Sequence, residues 1–120
     1  IICPDPLEGI RQIFATTSRF AASSSLGRAF RYFLRPDPGS ALRQVVRSRP
    51  FVANYGKWTL DVRGPGHAVV HMADEYFWID AAQRGGCEGL LTACGVEGTV
   101  EASLDSPYAG RLVVQWEPRD

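Results

Sequence analysis

The chain has 120 residues and a mass of 13.2 kDa, enough for one hydrophobic core and too little for two. With 45% hydrophobic and 22% charged residues it has the composition of an ordinary globular domain, and no apolar run approaches the roughly 20 residues that a membrane helix needs. Net charge is zero but unevenly placed: residues 1–50 carry eight arginines against Asp5, Glu8 and Asp37, an excess that residues 51–120 cancel, and arginines on solvated helix faces account for it without a nucleic-acid partner.

The opening IICPDPLEGI has no basic leader and no small-residue cleavage site, so it does not read as a signal peptide, and the chain is expected to begin inside a longer gene product. Asp5 before Pro6 is a helix start, and Leu7, Ile10, Ile13 and Phe14 recur at helical spacing, which predicts a first helix over about residues 6–21. Ser23, Ser24 and Ser25 interrupt it. Beyond them Leu26, Ala29, Phe30, Phe33 and Leu34 form one apolar stripe, the mark of a second helix, or of the first one bent, that Pro36 and Pro38 end. A short third helix is expected over Ser40 to Arg47, with Leu42, Val45 and Val46 on one side and Pro50 closing the helical half.

From Lys57 the period changes to two. Trp58, Leu60 and Val62 alternate with Thr59, Asp61 and Arg63, Gly64 to Gly66 make a turn, and Ala68, Val70 and Met72 return as the buried face of a hairpin. A helix using Ala81, Ala82, Leu90, Leu91 and Ala93 follows, with Gly95 as its stop. Val100, Ala102 and Leu104, a turn at Asp105 to Pro107, and Leu112, Val114 and Trp116 then make a second hairpin. The predicted architecture is α+β: N-terminal helices, then hairpin, helix and hairpin, forming a four-stranded antiparallel sheet with helices packed on one face.

Chemistry-bearing residues are sparse. His67 and His71 lie four apart in a predicted strand, roughly 13 Å at about 3.3 Å per residue, too far to share a metal ion. His71, Asp74 and Glu75 make the one local acid–base grouping, at a strand end where solvated charges are common and with no nucleophile beside it. Cys87 and Cys94 are two helical turns apart, beyond the roughly 7 Å that a disulfide spans between Cα atoms. Three cysteines are no disulfide framework, and a reducing cytoplasm suits them. Gly85, Gly86 and Gly89 each cost a helix about 1 kcal/mol relative to Ala, which calls for another surface close by: the sheet, a partner chain or a bound molecule. Tyr76, Phe77 and Trp78 cannot all face one side of a regular element, so at least one lines a pocket or an interface.

Taken together, LGRAF at Leu26 to Phe30, the strand pair after Tyr55, and GGCEGLLTACGVEGTVEAS with its closing LVVQWE resemble a myxobacterial paralogous family of unknown function. More remotely they resemble the 4-vinyl-reductase-type small-molecule-binding domain, the haem-dependent nitric-oxide sensor domains and the Bet-type subunits of the TRAPP tethering complex. The resemblance implies that residues 1–120 are a single domain, the C-terminal portion of a longer family domain. It makes Gly86, Gly89, Gly95 and Trp116 architectural. Thr99 to Glu117 lacks the cysteines often found in the vinyl-reductase pattern, and no histidine lies on a predicted helix as a haem ligand would, so no metal or cofactor is expected.

These features lead to an expected non-enzymatic, cytoplasmic regulatory or sensory domain that binds a small apolar or amphipathic ligand or signals through self-association as a homodimer. The ligand- or interface-lining residues would be Tyr76, Phe77, Trp78, Gly86, Cys87, Gly89, Leu91 and Cys94. The alternatives are a protein–protein adaptor and, more weakly, an enzyme with a minimal site near His71.

Overall fold

The computed structural model describes residues 5–23, 37–76 and 78–118; Cys3, Phe77 and the helix expected around Leu26 to Leu34 lie outside them. Two helices begin on the same Asp-Pro device. In α1 (Pro6–Ser23) the Asp5 carboxylate accepts from the Leu7 N–H at 3.0 Å, and in α2 (Pro38–Val52) Asp37 accepts from the Ser40 N–H at 3.0 Å. In each, proline fills the first position, where its missing N–H costs nothing.

The helix expected over Ser40 to Arg47 is therefore longer at both ends. Pro50 does not close it: α2 continues through Pro50 to Val52, and the Ala53 N–H donates to the Arg49 carbonyl to end it. A proline this near a C-terminus removes a single backbone hydrogen bond, which the tertiary contacts of α2 outweigh.

Strands β1 (Lys57–Gly64) and β2 (His67–Ala73) form the first hairpin, and β3 (Gly98–Ser106) and β4 (Ala109–Trp116) the second. All pairings are antiparallel, in the order β1-β2-β4-β3, so β2 and β4 are central and join the two hairpins. Register places Leu60, Val70, Leu112 and Ala102 in one row and Val62, Ala68, Val114 and Val100 in the next, all on one face. That face and the helices over it enclose the core of Leu42, Val70, Ile79, Leu91, Val100, Leu112 and Val114, each at most 3% exposed. Burying a side chain of this kind is worth about 1.5–3 kcal/mol.

Between the hairpins the chain runs through a π-helical turn, Ile79–Gln83, into α3 (Arg84–Ala93). Gly95, at φ 71°, ends α3 as expected: its N–H donates to the Thr92 carbonyl and that of Val96 to Leu91, the paired bonds of a Schellman cap. The helices lie on one face of the sheet, α2 against β1 and α3 against β3 and β4, while α1 packs chiefly on α3 as an outer layer. The close surface at Gly85 is α1, since a Cβ there would collide with the backbone of Arg11. Beside this crossing, Arg11 is paired with Glu88, whose hydrogen bond holds the guanidinium charged.

Candidate functional site

Among the described residues the buried charged side chain is Glu75, fully buried although it lies two residues past an exposed strand end. The turn of the backbone explains it. Asp74 has φ 52° and Trp78 φ 43°, left-handed values that are uncommon outside glycine, least so for Asp. These two residues bracket a short segment in which Asp74 and Tyr76 stay exposed while Glu75 turns inward.

Inside, the carboxylate is surrounded by donors. Nη2 of Arg49, from the end of α2, donates to both oxygens at 3.0 and 2.8 Å; Trp58 Nε1, from β1, donates at 2.7 Å; Gln83 Nε2, from the π-turn, donates at 3.3 Å. The Glu75 N–H donates to the Tyr108 carbonyl at 2.9 Å, tying the segment to the β3–β4 turn. The carboxylate thus gathers three parts of the fold and the backbone N–H a fourth, with each carboxylate oxygen accepting two bonds. A buried pair is tolerable only when its hydrogen bonds are made in this way.

Arg49 is held from two sides, its guanidinium carbon 5.0 Å from the Tyr55 ring centre and 4.4 Å from that of Trp58. Those ring faces offset part of its desolvation, and Nε is left buried without a hydrogen-bond partner. Gly56 closes the cluster. At φ 82°, with a Cβ that would fall 2.6 Å from Glu75 Oε2, the position admits no side chain.

Above Gly56 lies an open concavity of about 560 Å³, lined by Pro50, Ala53, Asn54, Tyr55, Gly56, Lys57, Asp74 and Tyr76. Its tyrosines form a ladder: Tyr55 and Tyr76 have ring centres 5.6 Å apart at 43°, and Tyr108 meets Tyr76 edge-on at 5.2 Å. A second concavity, of about 390 Å³, lies along the α1–α3 crossing and is polar, with Glu8, Arg11, Gln12 and Glu88 on its walls.

The residues expected to line a site are dispersed. Tyr76 lines the tyrosine-walled concavity; Phe77 is outside the described residues; Trp78 is half-exposed at the entry to the π-turn. Leu91 and Cys94 are buried in the core, Gly89 is buried in α3, and Gly86 and Cys87 are half-buried on it. Both described cysteines are free thiols. Although Cys87 is only half-buried as a residue, desolvation pushes its thiol up to about 12, with the charge of Glu88 adding to the effect. Burial therefore disfavours the thiolate, the form that acts as a nucleophile.

His71, Asp74 and Glu75 are not drawn into one grouping. By register His71 shares the outer sheet face with Thr59 and Arg111, whereas Trp58, which binds Glu75, lies on the helix-covered face. Glu75 and Arg49, expected as solvated charges, are instead the buried pair. Gly56 between Tyr55 and Lys57, and an acid two residues past an apolar strand, are features of the sequence at this place, but neither by itself marks a buried pair. Among the described residues no three His, Cys, Asp or Glu side chains are grouped to hold a metal ion.

A family model described as a protein of unknown function (DUF2378) matches residues 8–117. No curated protein and no solved structure matches the chain. Among the described residues no helix is long and apolar enough to cross a membrane.

Proposed function

The chain belongs to that family of unknown function, and we propose for it a non-enzymatic regulatory role in the cytoplasm: a domain that binds a small amphipathic ligand in the concavity walled by Tyr55 and Tyr76. The observation that carries this reading is the wall of the concavity, which sets the flat Tyr55 and Tyr76 rings beside a few polar groups. Its floor is rigid, because Glu75 and Arg49 lock three elements and a turn beneath it. The chemistry of the neighbourhood supports binding over catalysis. The Glu75 lone pairs are occupied by donors, and burial disfavours the Cys87 thiolate. The remote resemblance of the glycine-bearing helix and last hairpin to small-molecule-binding domains agrees with this reading, and the free thiols Cys87 and Cys94 suit a reducing compartment.

A native mass spectrum of the chain purified from its own cells tests the proposal by reporting bound mass. In parallel, a ¹H–¹⁵N titration with indole and phenol should move the amides of Tyr55, Gly56, Lys57 and Tyr76. Absence of bound mass together with unmoved amides would remove the reading. A second reading, docking of a protein partner or a second copy, is favoured by Phe51, 90% exposed next to Pro50 at the rim. Light scattering that gives a monomer, with Phe51→Ser unchanged in every assay, would dismiss it.

A further inference from the structure

The charges on the rim of the tyrosine-walled concavity specify a ligand class. Elsewhere among the described residues, salt bridges join Arg11 to Glu8 and Glu88, Arg49 to Glu75, Arg63 to Asp61 and Arg84 to Glu101. Lys57 and Asp74 belong to none of these pairs. They line the same concavity, and Lys57 stands directly across the β1–β2 ladder from Ala73, the residue before Asp74, yet the two form no salt bridge.

The left-handed turn at Asp74 leaves Asp74 exposed where Glu75 turns inward, so an exposed ammonium and an exposed carboxylate line one cavity with no salt bridge between them. The tilted Tyr55 and Tyr76 rings wall the same cavity, braced by Arg49 against Tyr55 and by Tyr108 against Tyr76. The Asn54 amide adds a neutral donor and acceptor at the same rim. A molecule that satisfies every one of these groups carries a negative group, a positive group and a flat apolar part.

We propose that the concavity binds a small zwitterion of the aromatic α-amino acid class, its carboxylate at Lys57, its ammonium at Asp74 and its ring against Tyr76 and Tyr55. This assignment rests on the reading of the concavity as a ligand site and adds the chemistry of its occupant. Both rim charges are solvent-exposed, so each contact is worth little alone and the discrimination is modest.

The test uses four compounds that share a phenyl ring and differ in which charged groups they carry: L-phenylalanine, its amide, its N-acetyl derivative and 2-phenylethanol, each titrated into the ¹⁵N-labelled chain. L-Phenylalanine is expected to move the amides of Tyr55, Gly56, Lys57 and Asp74 and to bind about fivefold more tightly than either singly blocked form. Lys57→Gln should abolish the preference over the amide and keep that over the N-acetyl compound; Asp74→Asn should do the converse. Both positions are exposed, and an unchanged spectrum of the free variants establishes that they fold. Equal affinity for all four compounds, or variants that discriminate like the parent, overturns the zwitterion assignment and leaves a ligand site of another class. If none of the four moves these amides, the assignment fails, and if indole and phenol fail as well, so does the ligand site.

Discussion

At the scale of single residues the molecule turns on Glu75. Its buried side chain is satisfied by hydrogen bonds from Arg49, Trp58 and Gln83, so truncating it leaves a buried guanidinium and two N–H donors without that acceptor. Glu75→Ala is therefore expected to cost about 3–5 kcal/mol in urea unfolding followed by tryptophan fluorescence, the range for breaking a buried pair from one side. Cys87 gives a prediction of opposite character. Its folded pKa is raised from 9.0 to about 12, so folding favours the protonated thiol. The associated stability is complete below pH 9 and declines as pH rises from about 9 toward 12. Iodoacetamide at pH 8 should label Cys87 far more slowly in the folded chain than in urea; equal rates would contradict the assigned burial of the thiol. Neither property was legible in the sequence. An acid after an apolar strand and a cysteine in a small-residue helix are ordinary locally, and only tertiary neighbours set their solvation.

Among the elements, the α1–α3 crossing and the end of α2 show how small residues earn their places. Gly85 lets the backbone of α1 sit directly on α3. Gly85→Ala should destabilise the chain by about 1–3 kcal/mol despite the higher helix propensity of alanine, because backbone atoms of Arg11 cannot move aside as a side chain would. Thermal unfolding decides the matter, and a gain in stability would mean that α1 is not seated there. Pro50 works in the other direction. It lies inside α2, where it forfeits a backbone hydrogen bond, and it lines the concavity. Pro50→Ala is expected to stabilise the chain by about 1 kcal/mol while weakening binding of the compounds titrated above, so that calorimetric melting and affinity move in opposite senses. The helix starts at Asp5-Pro6 and Gly95's stop were readable because caps are local chemistry; the extension of α2 past Pro50 was not, since packing against β1 outweighs a local signal.

For the whole molecule, the strand order β1-β2-β4-β3 predicts a gradient of stability. Amides of β2 and β4, paired on both sides and backed by the core, should exchange most slowly, and those on the free edges of β1 and β3 faster. Hydrogen exchange followed by NMR measures this, with Val70 and Leu112 as the expected slowest class; slowest exchange in β1 would contradict the order. The two hairpins, the helix between them and the buried faces of Ala68, Val70, Met72, Leu112, Val114 and Trp116 were determined by the sequence alone, because alternation, turn residues and helical spacing act over a few neighbouring positions. The joining of the hairpins through β2 and β4, the seat of α1 on Gly85 and the gathering of Arg49, Tyr55, Trp58, Glu75 and Gln83 were decided only in the tertiary structure. These residues are spread over 35 positions, from Arg49 to Gln83. What unites them is the solvation of one buried carboxylate, which depends on distance in space and leaves no period in the chain.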